Sequence, residues 1–277
     1  SLVPVYSVDG TLALDKEEFP RPQTTLEGLA ELQPSFAPVA DYPLDESGTT
    51  YRSMVLQKYP GLEITHVHHA GNSSGVVDGA GAVLLASPTY AKAHGMKPRA
   101  RIKAMCNMGD CPTLMLNAPV PAARKVLAKA GLSIEDIDLF EINEAFAVVA
   151  EKFIRDLDLD RDKVNVNGGA MALGHPIGAT GALLIGTVLD ELERRDQQFG
   201  LITMCASLPG SPSSQNTLGD LHTLRIFFPA QPSRQWKPPC LNSAKTLSGT
   251  RQHSNSSWMS TSIRVKRSMR SSCTMQA

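Results

Sequence analysis

From residue 100 onward, apolar and polar positions fall into blocks that alternate between helical and strand spacing. Residues 118–130 predict a helix, with Pro119 and Pro121 at its start, Ala122, Val126, Leu127 and Ala130 as its apolar stripe, and Gly131 as its stop. Ser133 opens a capped turn that leads into the short apolar run 137–142. Residues 145–157 predict a second helix and 164–167 a short strand. A third helix is predicted over 180–195, apolar at Ala182, Leu183, Ile185, Leu189 and Leu192. Residues 199–205 close the pattern as a buried strand. Strands alternating with helices at this spacing predict an α/β layered domain.

Upstream the pattern is looser. Residues 1–60 are interrupted by Gly10, Pro20, Pro22, Pro34, Pro38 and Pro43, leaving room for one short helix, where Thr24 and Thr25 form an N-cap pair ahead of Leu26, Leu29 and Ala30. Small residues open the stretch 76–87, which ends apolar and predicts a buried strand. Ser87-Pro88 then starts a helix over 88–95 that Gly95 ends. Past Ser207 the alternation is lost.

Charge sharpens that break. The 277 residues are 42% hydrophobic and 19% charged, enough for one large domain or two small ones with a core. Their net charge of zero is a cancellation: residues 1–207 carry 26 acidic and 18 basic side chains, whereas 208–277 carry one acid, Asp220, and nine bases. The tail also holds 14 serines, no glutamate, and both tryptophans, Trp236 and Trp258. We therefore expect 208–277 to be an unrelated, disordered tail, of the kind produced by translation out of frame. An acidic front part gives no electrostatic case for nucleic acid, and the tail's bases are scattered among Ser and Pro. No apolar run reaches the roughly 18 residues of a membrane span, and no basic-then-apolar leader opens the chain. Five cysteines with no C-x-x-C pair suit neither zinc nor a disulfide framework, so a reducing compartment and no metal are expected.

Three sites could carry chemistry. The densest is the stretch 165–182, Asn-Val-Asn-Gly-Gly-Ala-Met-Ala-Leu-Gly-His-Pro-Ile-Gly-Ala-Thr-Gly-Ala, where glycines surround His175 ahead of a helix. Such a turn can offer backbone N–H groups to an anion, with His175 free to meet a substrate; equally, it is a tight turn with an exposed histidine. Asn143, after the buried run, is a natural N-cap with Glu144 in the first helical turn, or a strand-end residue facing a site. Cys205 ends its strand either as a small buried hydrophobe or as a catalyst. All three fall at strand ends or strand-to-helix turns, and a Cys/His pair with a polar third member can run acyl transfer or carbanion chemistry.

Read in order, Asn-Glu-Ala-Phe-Ala at 143–147, Asn-Gly-Gly-Ala-Met-Ala-Leu-Gly-His-Pro-Ile-Gly-Ala-Thr-Gly at 167–181 and the strand into Cys205 resemble the thiolase family, acyl-CoA:acetyl-CoA C-acyltransferases. The likeness extends upstream through Arg-Pro-Gln-Thr-Thr-Leu-Glu-Gly-Leu-Ala at 21–30, Ala-Gly-Asn-Ser-Ser-Gly-Val-Val-Asp-Gly-Ala at 70–80 and Pro-Val-Pro-Ala at 119–122, covering about residues 10–206. It implies a layered αβα half-domain, with 1–92 as the end of the family's N-terminal domain and 93–207 as its C-terminal domain. It also implies thiolysis of a 3-ketoacyl-CoA by CoA, or the reverse condensation of acyl-CoA with acetyl-CoA, in fatty-acid β-oxidation. Coenzyme A is then a substrate and no other cofactor is expected. A homo-oligomer, dimer or tetramer, and a cytoplasmic setting of the bacterial type follow from the same likeness, which leaves mitochondria and peroxisomes open.

Roles carry over by position. His175 would activate a cysteine that holds the acyl group as a thioester and, with Asn143, would form the oxyanion hole. Cys205 would move the proton on the second substrate's methyl group. Ser74 would lie along the pantetheine arm, although it also suits a plain turn, and Gly174 would line the CoA site. The chain departs from the family in three places. Its match begins beyond the family's nucleophile, and neither Cys106 nor Cys111 stands in a Cys-x-Ser-Gly setting. Ser207 replaces the glycine after the strand-end cysteine, and His69 replaces a small polar residue. A catalytically inactive fragment is therefore the alternative. A condensing enzyme of the ketosynthase type would want a second histidine where Cys205 stands.

Overall fold

A computed structural model of the chain describes residues 3–111 and 113–205, together with the backbone of 224–229. Its centre is a four-stranded sheet in the order β3-β6-β5-β4, formed by β3 (Ala100–Cys106), β4 (Leu139–Ile142), β5 (Gly200–Thr203) and β6 (Leu224–Pro229). β4 and β5 run parallel, with Leu139 opposite Gly200 and Ile142 opposite Thr203, while β6 is antiparallel to both β5 and β3.

The pleat sends alternate side chains of β4 to opposite faces, and two apolar clusters result. Phe140 and Ile142 join Leu201 and Cys205 under α4 (Pro119–Ala130) and α5 (Ala147–Asp156). Leu139 joins Ile202 and packs against Ile185, Val188 and Leu192 of α7 (Ile177–Arg195). The layers are therefore helix, sheet, helix, as expected. Gly131 ends α4 in the left-handed conformation, at φ 66°. Arg99, at the start of β3, donates to Glu193 at 3.0 Å and to Asp190 at 2.6 Å, tying the far end of α7 to the sheet.

The first 99 residues bury little. A hairpin of β1 (Val5–Tyr6) and β2 (Leu12–Leu14) is followed by α1 (Leu26–Ala30), capped by Thr25 as expected. An unanticipated helix, α2 (Tyr51–Lys58), carries a capping box between Thr50 and Ser53. The helix α3 (Pro88–Ala93) starts at Pro88 as expected, is capped by Ser87, and ends two residues short of Gly95.

Two expected strands are corrected. Residues 76–87 form no strand: Leu84 and Leu85 are 58% and 62% exposed, and no neighbouring strand among the described residues offers the backbone a partner. Residues 164–167 reduce to one bridge, Phe140 to Val164, because Asn165 turns to φ 46° and breaks the extended run. Most of 208–277 lies outside the described residues. The exception is β6, which is built into the sheet between β3 and β5.

Candidate active site

Asn143 is not the cap of α5. The chain runs three residues further, and Phe146 takes the N-cap position with no side-chain hydrogen bond. What holds those residues out is Glu144, whose carboxylate accepts from Asn165 Nδ2 at 2.7 Å and from the Met171 amide at 3.1 Å. Glu144 thus clasps the strand-end segment to the glycine-rich loop. A β-carbon at Gly169 would run into that carboxylate, so glycine is required there for close approach.

Asn165 fixes the same loop from the other side. Its Oδ1 accepts from the Ile142 amide at 2.7 Å and its Nδ2 donates to the Ile142 carbonyl at 2.9 Å. Asn167 donates to Glu191 on α7 at 3.0 Å, and Glu191 also pairs with Arg194 and Arg195. A further helical turn, α6 (Ala170–Leu173), carries the chain to Gly174, at φ 86° and pressed against Val77. His175 follows, its amide donating to the Gly75 carbonyl at 2.9 Å.

These restraints bring together two side chains 32 residues apart. Asn143 Nδ2 lies 3.4 Å from His175 Nε2, and Asn143 Oδ1 is buried with no hydrogen-bond partner among the described residues. On the other side of the ring, His175 Nδ1 is 2.6 Å from Thr180 Oγ1. Burial pushes the His175 pKa below its ordinary value of 6.5, which keeps the imidazole neutral at neutral pH.

His175 and Ser74 both line a cleft of about 540 Å³ between residues 74–81 and 175–179. The Ser74 amide donates to the Ala145 carbonyl at 3.0 Å, so the cleft wall is tied to the segment that carries Asn143. Cys205 lies just past β5, 6% exposed, in the apolar cluster with Phe140 and Leu201 and outside the residues lining the cleft. Its strand is joined to Asn143 by the bond from the Asn143 amide to the Thr203 carbonyl, at 2.9 Å. Among the described residues, no group of three His, Cys, Asp or Glu side chains could hold a metal ion, and no helix is long and apolar enough to cross a membrane.

Three buried acids, Glu141, Glu144 and Glu191, are not marked as partners by the sequence. By sequence Glu144 suits the dipole of a following helix; in the fold it is Gly169 that lets its carboxylate enter the loop. Glu141, 3% exposed on β4, faces α7 beside Leu139; burial, and secondarily the Glu144 charge, raise its pKa from 4.5 to about 8.

Known proteins resemble this chain in sequence and fold. Residues 96–214 match the family described as thiolase, C-terminal domain. A 3-ketoacyl-CoA thiolase of Serratia proteamaculans is 45% identical over 207 residues, which are 73% of this chain and 47% of that protein. The crystal structure of the Bacillus anthracis acetyl-CoA acetyltransferase superposes with a TM-score of 0.62 at 34% identity, covering 82% of this chain and 49% of that one. That of human mitochondrial 3-ketoacyl-CoA thiolase in complex with CoA gives 0.59 at 34% identity, covering 78% and 46%. The chain spans about half the length of the curated relatives it matches.

Proposed function

We infer from the match of residues 96–214 to the thiolase C-terminal domain that this chain is of the thiolase family, and we propose that it supplies the oxyanion-hole and proton-transfer half of a site for thiolytic cleavage of 3-ketoacyl-CoA by CoA, or the reverse condensation. The observation that carries the reading is the approach of Asn143 to His175 beside an open cleft, with the histidine neutral. A neutral imidazole can take a proton from a thiol, and the Nε2–H it then carries, with the Asn143 amide beside it, can meet a thioester oxygen as it becomes negative. The unpartnered Asn143 Oδ1 suits a water held in the same hole.

In the proposed reaction a cysteine thiolate attacks the 3-keto carbon and the C2–C3 bond breaks. The departing acetyl-CoA enolate takes a proton from Cys205. The acyl group stays on the nucleophile as a thioester until CoA removes it. None of the chain's five cysteines stands in a Cys-x-Ser-Gly setting, so that nucleophile would be supplied from elsewhere. Ser74 and Gly174 would face the pantetheine arm of CoA, the ligand present in the human relative's structure. The reading places the protein in fatty-acid β-oxidation, as a cytoplasmic homo-oligomer. Residues 1–92 would close the N-terminal domain and 93–207 would form the C-terminal one; the family match starts at 96 and runs to 214.

The second reading, a catalytically inactive chain that at most holds CoA, is favoured by the absence of a Cys-x-Ser-Gly setting around any of its five cysteines. Mass spectrometry of a 3-ketoacyl-CoA incubated with CoA separates the two. If the chain produced together with a nucleophile-bearing first half yields the shortened acyl-CoA, and His175→Ala abolishes it, the first reading stands. If no shortened product forms while CoA still binds, the second does.

A further inference from the structure

Thr180 lies in the first turns of α7, 3% exposed, five residues beyond His175. Its Oγ1 is 2.6 Å from His175 Nδ1 and 3.2 Å from the Pro176 carbonyl. We propose that Thr180 is a positioning residue that fixes the proton of His175 on Nδ1 and leaves Nε2, the nitrogen beside Asn143, as the basic atom.

The argument is proton counting. A hydroxyl has one hydrogen to give. The Pro176 oxygen can only accept, so the bond from Oγ1 to it uses that hydrogen, the back-bond a helical threonine makes to the residue four before it. The hydroxyl then turns its lone pairs to Nδ1, which must carry a hydrogen to bond at 2.6 Å. At the other end of the ring, Asn143 presents an amide nitrogen, which also only donates, so Nε2 accepts. The three bonds run one way: Asn143 to His175, His175 to Thr180, Thr180 to Pro176. The opposite tautomer would need the hydroxyl to leave Pro176 and the Asn143 amide to turn over, since two donors would otherwise face each other. Burial at both ends makes either unmatched pairing costly.

The inference deepens the proposed function, because only a base-type Nε2 can take a thiol proton, but its test does not need turnover. Nitrogen-15 spectra of histidine-labelled protein, with His175→Gln to assign the signal, report each ring nitrogen directly. The wild-type chain and Thr180→Ser should show a protonated-type Nδ1 and an unprotonated-type Nε2 at pH 8. Thr180→Val, or Thr180→Ala if the valine does not fold, should shift the population to the Nε2–H form. A wild-type spectrum with Nε2 protonated, or variants whose tautomer is unchanged, overturns the inference. In protein that turns over, Thr180→Val should lower kcat roughly 10- to 100-fold with KM held, and Thr180→Ser should restore it to within about threefold. The expected tautomer in a protein without turnover would keep the inference and remove the functional reading; turnover with the opposite tautomer would do the reverse.

Discussion

Replacing Glu141 by glutamine isolates one buried carboxyl and turns its environment into a measurable slope. The side chain is 3% exposed on β4, two residues before Asn143, and burial together with the nearby Glu144 charge raises its pKa from 4.5 to about 8. Between those values the unfolded chain releases this proton while the folded chain keeps it. Stability is therefore fully retained below about pH 4.5, falls as pH rises, and levels off above about pH 8. Each pH unit in that window is worth about 1.4 kcal/mol, so from pH 5 to pH 8 the group costs the folded state about 4 kcal/mol. Glutamine keeps the shape of the protonated acid and cannot ionise. Glu141→Gln should match the wild type at pH 5 and exceed it by several kcal/mol at pH 8, in urea unfolding followed by far-ultraviolet circular dichroism. A difference between the two proteins that stays constant from pH 5 to pH 8 would refute the reasoning.

Phe153 is fully buried between α5 and the sheet, so Phe153→Ala should cost about 3–5 kcal/mol in the same unfolding experiment. Asn165→Ala removes two bonds to Ile142 and one to Glu144; it should cost about 2–3 kcal/mol and speed hydrogen exchange across residues 165–176, whereas Phe153→Ala should leave exchange there no faster than global unfolding requires.

The layered core was legible because its signals are local. α4 announces itself by paired prolines and a glycine stop, α7 by a long apolar stripe, and β4 by a run of residues buried on both faces. Elements that depend on neighbours were misread. Residues 76–87 have a strand's composition, yet a strand needs a second backbone beside it, and none is described there. α2 went unseen because Leu56 falls off the face of Tyr51, Met54 and Val55 and none of its residues is buried, so only the Thr50–Ser53 cap betrays it. In the site, His175 and Asn143 stood out as residue types at strand and helix junctions. Glu144 and Thr180 did not, since a glutamate after a strand and a threonine in a helix are ordinary until a fold brings their partners to them. β6 shows the opposite failure: its apolar run Leu-Arg-Ile-Phe-Phe-Pro at 224–229 lies in the stretch expected to be a disordered tail.

A double-substitution cycle on turnover tests most directly whether Asn143 and His175 form one oxyanion hole. His175→Ala, Asn143→Ala and the pair together would be compared in thiolysis of a 3-ketoacyl-CoA, using protein that includes the nucleophile-bearing half. Groups that act as one unit are not additive, so the double variant should be no more than a few-fold slower than His175→Ala alone, each being at least 100-fold below the parent. Losses that multiply, or an Asn143→Ala variant with parental kcat, would contradict the account.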